Sequence, residues 1–148
     1  MPGILLDTNV LVYAFDPNDA ARQAQALRCL KALAETQQGC LSVQCLAEFM
    51  AIATRKLRPA LTPANALDQV TRLAQAYRIY DITLPVVLEA ARGLRDYQLS
   101  YYDAQIWATA HLHQVPVVFS EDFGGGAQLE GVRFVNPFAP RFNLETWL

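Results

Sequence analysis

The chain has 148 residues, of which 53% are hydrophobic and 18% charged, and its formal net charge is −2. This composition predicts one compact globular domain over residues 1–148 and excludes a disordered chain, while the charge weighs against a broad basic surface for nucleic acid. The longest apolar runs are only a few residues long, so no segment predicts a membrane span.

The amino terminus and the cysteines indicate a cytoplasmic protein. The first ten residues lack the basic start and the small-residue cleavage site of a signal peptide. Cys29, Cys40 and Cys45 are odd in number and show no C-x-x-C spacing. We therefore expect them to be reduced residues of the core, as is usual in the cytosol.

Strands alternate with helices along the chain. The predicted strands cover Gly3–Leu6, Cys40–Ser42, Ile79–Ile82, Val115–Phe119 and Val132–Val135. The predicted helices begin after Asp16–Asp19, Ser42, Thr62, Thr83 and Ser100. The apolar stripe expected after Thr83 consists of Val87, Ala90, Ala91 and Leu94. Such alternation predicts an α/β fold with a parallel sheet covered on both faces.

Four acidic residues are predicted to meet at one edge of this sheet. Asp7 ends the first strand, and Asp122 follows the fourth. Asp103 lies three residues into one helix, and Glu48 about two turns into another. Ligands of open α/β sheets bind outside the carboxyl ends of the strands, so these acids are candidates for a site.

Three of these acids are isolated charges in apolar sequence. Asp7 is the only charged residue among the first fifteen, and Glu48 is alone over residues 36–54. Asp103 is alone over residues 97–120, apart from two histidines. A carboxylate in such surroundings is costly unless it is compensated. A cation from solution would compensate it, and oxygen ligands favour Mg²⁺ or Mn²⁺.

Each acid also has a structural interpretation. Asp7 suits the N-cap of a short helix after the first strand, and Glu48 suits a solvated helix face. Ser100 and Asp103 resemble a capping box, with Asp where Glu or Gln is usual. Asp122 sits in a loop, where acids are common. At this point both kinds of interpretation remain open.

Neighbouring polar residues allow two interpretations as well. Thr8 and Asn9 suit the orientation of a metal-bound water, but they are also ordinary first-turn residues. Arg55, Lys56 and Arg58 follow the helix of Glu48 and could meet phosphates. A solvated helix end with a favourable dipole interaction explains these three cations equally well.

Five segments together resemble the PIN-domain family, and within it the VapC-type bacterial toxins. They are LLDTNVLVYAFD, LAEF, LSYYDAQIWATA, VVFSEDF and VRFVNPF, which extend over nearly the whole chain. The resemblance implies a three-layer α/β/α sandwich with a central parallel sheet and an Mg²⁺-dependent (or Mn²⁺-dependent) acidic site that hydrolyses RNA. It also implies a homodimer and a small antitoxin protein that blocks the site.

By position, the resemblance implies that Asp7 and Asp103 contact metal most directly, with Glu48 and Asp122 completing the cluster. One departure is the segment 124–126, which is Gly-Gly-Gly where relatives usually carry more polar residues. This departure leaves the contacts of that loop with RNA open.

The sequence therefore predicts a metal-dependent ribonuclease, the toxin of a toxin–antitoxin pair. The alternatives are a housekeeping PIN nuclease that processes RNA and a catalytically silent interaction module. An aspartyl phosphotransfer fold, as in haloacid-dehalogenase-like enzymes and receiver domains, needs a second Asp near Asp7 and a late lysine. This chain has Asn9 at that point and no lysine after Lys56.

Overall fold

The computed structural model describes residues 3–123 and 126–148, so Gly124 and Gly125 of the glycine segment lie outside the described residues. The strands are β1 (Ile4–Leu6), β2 (Gly39–Ser42), β3 (Arg78–Tyr80), β4 (Val117–Phe119), β5 (Gln128–Leu129) and β6 (Val132–Val135). The helices are α1 (Thr8–Tyr13), α2 (Ala20–Glu35), α3 (Val43–Arg55), α4 (Pro63–Ala76), α5 (Leu84–Tyr97) and α6 (Tyr101–Leu112), followed by a 3₁₀ helix (Leu144–Trp147).

The strands form one sheet in the order β3-β2-β1-β4-β6-β5. Every neighbouring pair is parallel except β5 with β6, which is antiparallel. The predicted fold class, an α/β sandwich, is confirmed. The sheet is mixed rather than wholly parallel because a short hairpin, turning at Glu130 and Gly131, returns the chain to β6.

Helices cover the sheet on both faces. The connections that run toward β3 contain α1 to α4, and the connection from β3 to β4 contains α5 and α6. Right-handed crossovers in opposite directions place these two sets on opposite faces. The packing of α1 against α3, and of α5 against α6, agrees with this arrangement.

The order of strands reverses direction between β1 and β4. Leu6 of β1 pairs with Phe119 of β4, so Asp7 and Ser120 leave the sheet side by side. This is the topological switch point, where ligands of such sheets bind. The fold thus brings the loops after two central strands to the edge where the sequence predicted a site.

The sequence placed several helix starts correctly, but of the four residues predicted for the buried face of α5 only Ala90 is buried. Ser42, Thr62 and Thr83 are N-caps whose side chains accept backbone N–H bonds. On α5 the buried residues are Val86, Ala90 and Gly93, whereas Val87, Ala91 and Leu94 are exposed. The reason is Trp107 of α6: a Cβ atom on Gly93 would lie 2.9 Å from its ring, so the two helices pack at the glycine.

All three cysteines are buried and unbridged, as predicted for core residues. Burial raises the pKa of the Cys45 thiol to about 12, which leaves it protonated and unreactive at neutral pH. None of the helices in the described part of the chain is both long and apolar enough to span a membrane.

Candidate active site

Asp7 occupies the turn between β1 and α1, where it is only 5% exposed. Its Oδ1 accepts the backbone N–H of Thr8 at 2.7 Å, and its Oδ2 accepts the hydroxyl of Ser120 at 2.7 Å. Asp7 is therefore the N-cap of α1, as one interpretation required. Burial, together with the charges of Asp122 and Asp103, nevertheless raises the pKa of Asp7 to about 6, even though these two hydrogen bonds lower it. Capping alone does not explain so poorly compensated a carboxylate.

Ser120 is the central hydroxyl of this edge, and no pattern in the sequence indicated its role. It is fully buried, directly after β4. Besides donating to Asp7, its Oγ accepts the side-chain N–H of Asn9 at 3.3 Å and the backbone N–H of Asp122 at 3.1 Å. Ser120 thus ties the loop of Asp122 to the end of β1. Asn9 acts as a link between the loops.

Glu48 is half-buried on α3 and is held by two side chains. Its Oε1 accepts the amide N–H of Gln44 at 2.8 Å and the hydroxyl of Thr8 at 3.3 Å. Both bonds use the same oxygen, and Oε2 accepts none from the described residues. Glu48 is therefore not on a solvated helix face, because Gln44 and Thr8 are both buried beside it.

Asp103 lies on the first turn of α6, half-buried and facing the same cleft as the other acids. Ser100 is the N-cap residue, but its side chain makes no capping hydrogen bond. The capping box suggested by the sequence does not form, so it cannot account for Asp103.

The structure separates Asp122 from its acidic neighbour Glu121. Glu121 accepts the hydroxyl of Tyr13 at 2.7 Å and pairs with Arg22 at 2.7 Å, which makes it a structural acid. Asp122 is exposed and lines the cleft with Asp7. The loop thus contributes one acid to the structure and one to the cleft.

Asp7, Glu48, Asp103 and Asp122, here called the cleft acids, line one open cleft of about 290 Å³. Three polar residues and five apolar or aromatic residues complete its wall: Thr8, Asn9, Gln44, Val12, Tyr13, Ile52, Tyr102 and Ile106. The described lining residues include no lysine or arginine.

The cations after α3 do not compensate the cleft acids. Arg55 and Lys56 are exposed at the end of the helix. Arg58 donates to the carbonyls of Arg55 and Leu57 at 2.8 and 3.0 Å. Arg58 therefore satisfies the carboxyl end of α3, which favours the structural interpretation of these residues.

The donor chemistry of the cleft fits a hard divalent cation. Its ligand atoms are oxygens, the acids outnumber the cations, and Asp7 gains no counter-ion from the lining residues. In this conformation, no three acidic, histidine or cysteine side chains of residues 3–123 and 126–148 are placed so that they could hold one metal ion together. The four carboxylates share one cleft without forming such a group in this conformation.

Fold and site together define an α/β protein with an acidic cleft at the switch point of its sheet. The sequence model of the PIN domain matches residues 4–124. The chain belongs to the PIN domain family. No curated protein matches the sequence significantly.

Solved structures share this fold over most of their length. A chain of a toxin–antitoxin complex from Klebsiella pneumoniae is 25% identical, with a TM-score of 0.66, and the match covers 91% of this chain and 98% of that chain. VapC20 of Mycobacterium tuberculosis, a sarcin–ricin loop cleaving toxin, is 21% identical with a TM-score of 0.64, over 88% and 99% of the two chains. A DNA-bound VapBC from Salmonella typhimurium is 17% identical with a TM-score of 0.64, over 90% and 97%.

Proposed function

We propose that this protein is a ribonuclease that depends on Mg²⁺ or Mn²⁺ and hydrolyses RNA phosphodiester bonds at the acidic cleft. The observation that carries the proposal is the set of four cleft acids, drawn from the turn after β1, α3, α6 and the loop after β4, without a lysine or arginine in the described lining. Membership of the PIN domain family supports the same activity.

In this proposal the cleft acids hold the metal. Asp7 and Asp103 bind it directly, and Glu48 and Asp122 hold a second ion or orient water. Divalent ions bound by carboxylates supply an activated water and neutralise charge on the leaving oxygen. The chain's own contribution is orientation: Ser120 and Thr8 fix Asp7, while Gln44 and Thr8 fix Glu48.

The wall of the cleft supports single-stranded RNA as the substrate. Tyr102 is 64% exposed at the cleft, beside Asp103, and apolar side chains such as Ile52 lie close by. Unpaired bases stack on exposed aromatic rings with little dependence on sequence. Tyr102 is therefore proposed to hold a base of the RNA while the cleft acids face its phosphate.

The biological role proposed is that of a cytoplasmic toxin, acting as a homodimer and inhibited by a small antitoxin protein. The support is the likeness to a chain of a toxin–antitoxin complex and to two VapC or VapBC structures. The alternative role is that of a housekeeping nuclease that processes RNA.

The activity is tested with purified protein and labelled RNA. Cleavage should be lost when a chelator removes divalent ions and should return when Mg²⁺ or Mn²⁺ is added. An Asp7→Ala variant purified in parallel should be inactive, which controls for contaminating nucleases. Full activity in chelator would overturn the mechanism, and inactivity under all conditions would favour a silent interaction module.

The biological role is tested by expression. A toxin should arrest growth, and co-expression of the small open reading frame next to its gene should restore growth. The Asp7→Ala variant should be harmless at the same protein level. Harmless expression of protein that cleaves RNA in vitro would favour the housekeeping role.

A further inference from the structure

A chain of buried amides joins α3 to α6 beside the cleft. Gln44 and Gln105 are each only 4% exposed, and Gln105 Nε2 donates to Gln44 Oε1 at 2.8 Å. Gln105 Oε1 accepts the hydroxyl of Tyr101 at 2.8 Å. Gln44 Nε2 donates to Glu48 at 2.8 Å and to the backbone carbonyl of Tyr102 at 3.1 Å.

These partners fix the orientation of both amides. A backbone carbonyl and a carboxylate can only accept hydrogen bonds, so the nitrogen of Gln44 must face Tyr102 and Glu48. The oxygen of Gln44 then faces Gln105, whose nitrogen must donate to it. The oxygen of Gln105 remains for the hydroxyl of Tyr101. The whole chain of hydrogen bonds therefore points toward Glu48 and has one arrangement.

Gln44 also connects two of the cleft acids. Its two N–H groups bind Glu48 on α3 and the carbonyl of Tyr102, the residue directly before Asp103 on α6. These helices lie on opposite faces of the sheet, so one amide links the two layers at the cleft. Gln44 binds Oε1 of Glu48, so Oε2 takes no part in this hydrogen bond.

We propose that Gln44 is a positioning residue that sets the spacing between Glu48 and Asp103, with Gln105 and Tyr101 holding it in place. The inference rests on the proposed metal-dependent function, because spacing of these acids matters only if they act together. Partners that orient metal ligands in this way typically change metal affinity or activity 10- to 100-fold when removed.

A purely structural role makes a different prediction. Removing one partner of a buried hydrogen bond leaves the other unsatisfied, whereas replacing both with apolar groups of similar shape is often nearly neutral. If the amides only fill the layer between α3 and α6, the double variant Gln44→Met/Gln105→Met should bind Mn²⁺ as tightly as the wild type. If they position Glu48, the double variant should fold but remain defective.

The experiment measures Mn²⁺ binding to the free protein by electron paramagnetic resonance, together with thermal melts in chelator and steady-state RNA cleavage. We expect Gln44→Met to bind Mn²⁺ about 10- to 100-fold more weakly. The double variant should regain thermal stability in chelator without regaining Mn²⁺ affinity. In cleavage assays at saturating metal, kcat should fall while KM for RNA changes little, since Gln44 acts on the acids and not on the RNA.

A third variant asks whether Gln44 acts through Glu48. In a Glu48→Gln background, adding Gln44→Met should weaken Mn²⁺ binding little further, because the carboxylate it positions is already gone. Wild-type affinity in the double methionine variant, or full additivity with Glu48→Gln, would overturn the positioning role. Failure of the wild type itself to bind Mn²⁺ or cleave RNA would instead overturn the proposed function.

Discussion

Two groups of acids in this protein lie in opposite electrostatic environments. Glu89, Asp96 and Glu130, here called the paired acids, surround the guanidinium of Arg92, at 2.7, 3.6 and 2.9 Å. Arg92 in turn lies over the ring of Trp107, 5.4 Å from its centroid. The cleft acids have no such partner among the residues that line the described cleft.

The direction of the pKa shifts follows this difference. Hydrogen bonds from arginine lower the pKa of Glu89, Asp96 and Glu130 below their usual range. Burial raises the pKa of Asp7 to about 6, with the charges of two other cleft acids adding to the effect. Carboxylates therefore stabilise the folded state beside Arg92 and destabilise it in the cleft. Acids that the fold leaves uncompensated are those available to a ligand.

The largest expected effect is on catalysis. Asp103→Asn should reduce the rate of RNA cleavage at least about 1000-fold, because losing a metal ligand removes about 4 kcal/mol or more of transition-state stabilisation. Initial rates at saturating Mg²⁺ measure this. Glu130→Gln is the matched control from the paired acids, at the far end of the sheet, and should stay within about twofold of wild type. Equal losses in the two variants would erase the distinction between the groups.

The next effect is stabilisation by metal. Mg²⁺ at about a hundred times its Kd should stabilise the wild type by about 2.7 kcal/mol, since only the folded chain assembles the cleft acids. Thermal melts with chelator and with excess Mg²⁺ measure the shift. Asp7→Asn should lose most of this response, whereas Glu89→Gln should keep it. A shift of the same size in all three proteins would show that Mg²⁺ binds elsewhere.

Much of the fold could be predicted from the sequence because its signals are local. Capping residues such as Ser42 and apolar runs such as β4 mark their elements directly. The two-residue strand β5 was missed because it is too short to show a period. The face of α5 was predicted wrongly because Gly93 looks like a weak helix residue until Trp107 is packed on it.

The site was predictable only where it carries charge. The cleft acids stand out in the sequence because each is a rare charge in apolar surroundings or follows a strand. Ser120, Gln44 and Gln105 show no such anomaly, since neutral polar residues are common everywhere. The fold alone brings them to their partners: Ser120 lies 113 positions from Asp7, and Gln105 lies 61 positions from Gln44.

A smaller effect is the stability of the metal-free protein and its dependence on pH. The pKa of Asp7 is about 6 in the folded protein, above its unfolded value of about 3.9. The folded state therefore binds the proton more tightly, and stability in chelator should fall as pH rises from about 4 through 6. Asp7→Asn can still cap α1 but lacks the charge, so it should be more stable than wild type by about 0.5–2 kcal/mol at pH 7.

Urea unfolding of both proteins in chelator, from pH 4 to 7, measures this difference. The advantage of Asp7→Asn should grow with pH and vanish at pH 4. A variant that is less stable than wild type at every pH would mean that the hydrogen bonds of Asp7 to Ser120 and Thr8 outweigh the cost of its buried charge.

The smallest effect belongs to the paired acids and has the opposite sign. Glu89 accepts from Arg92 and lies 2.7 Å from Nδ1 of His111, with its pKa lowered chiefly by Arg92. A lowered pKa means that the folded state favours the carboxylate, so its stabilisation is present at pH 7 and is lost as pH falls through the folded pKa. Glu89→Gln should therefore destabilise the protein at pH 7 by about 0.5–1 kcal/mol, as partly exposed ion pairs do, and the difference should shrink in acid.

The same urea series measures this difference without metal. Plotted against pH, the Asp7→Asn difference from wild type should rise from near zero at pH 4, whereas the Glu89→Gln difference should become more destabilising as pH rises. Parallel curves would mean that burial and pairing do not set the two groups of acids apart.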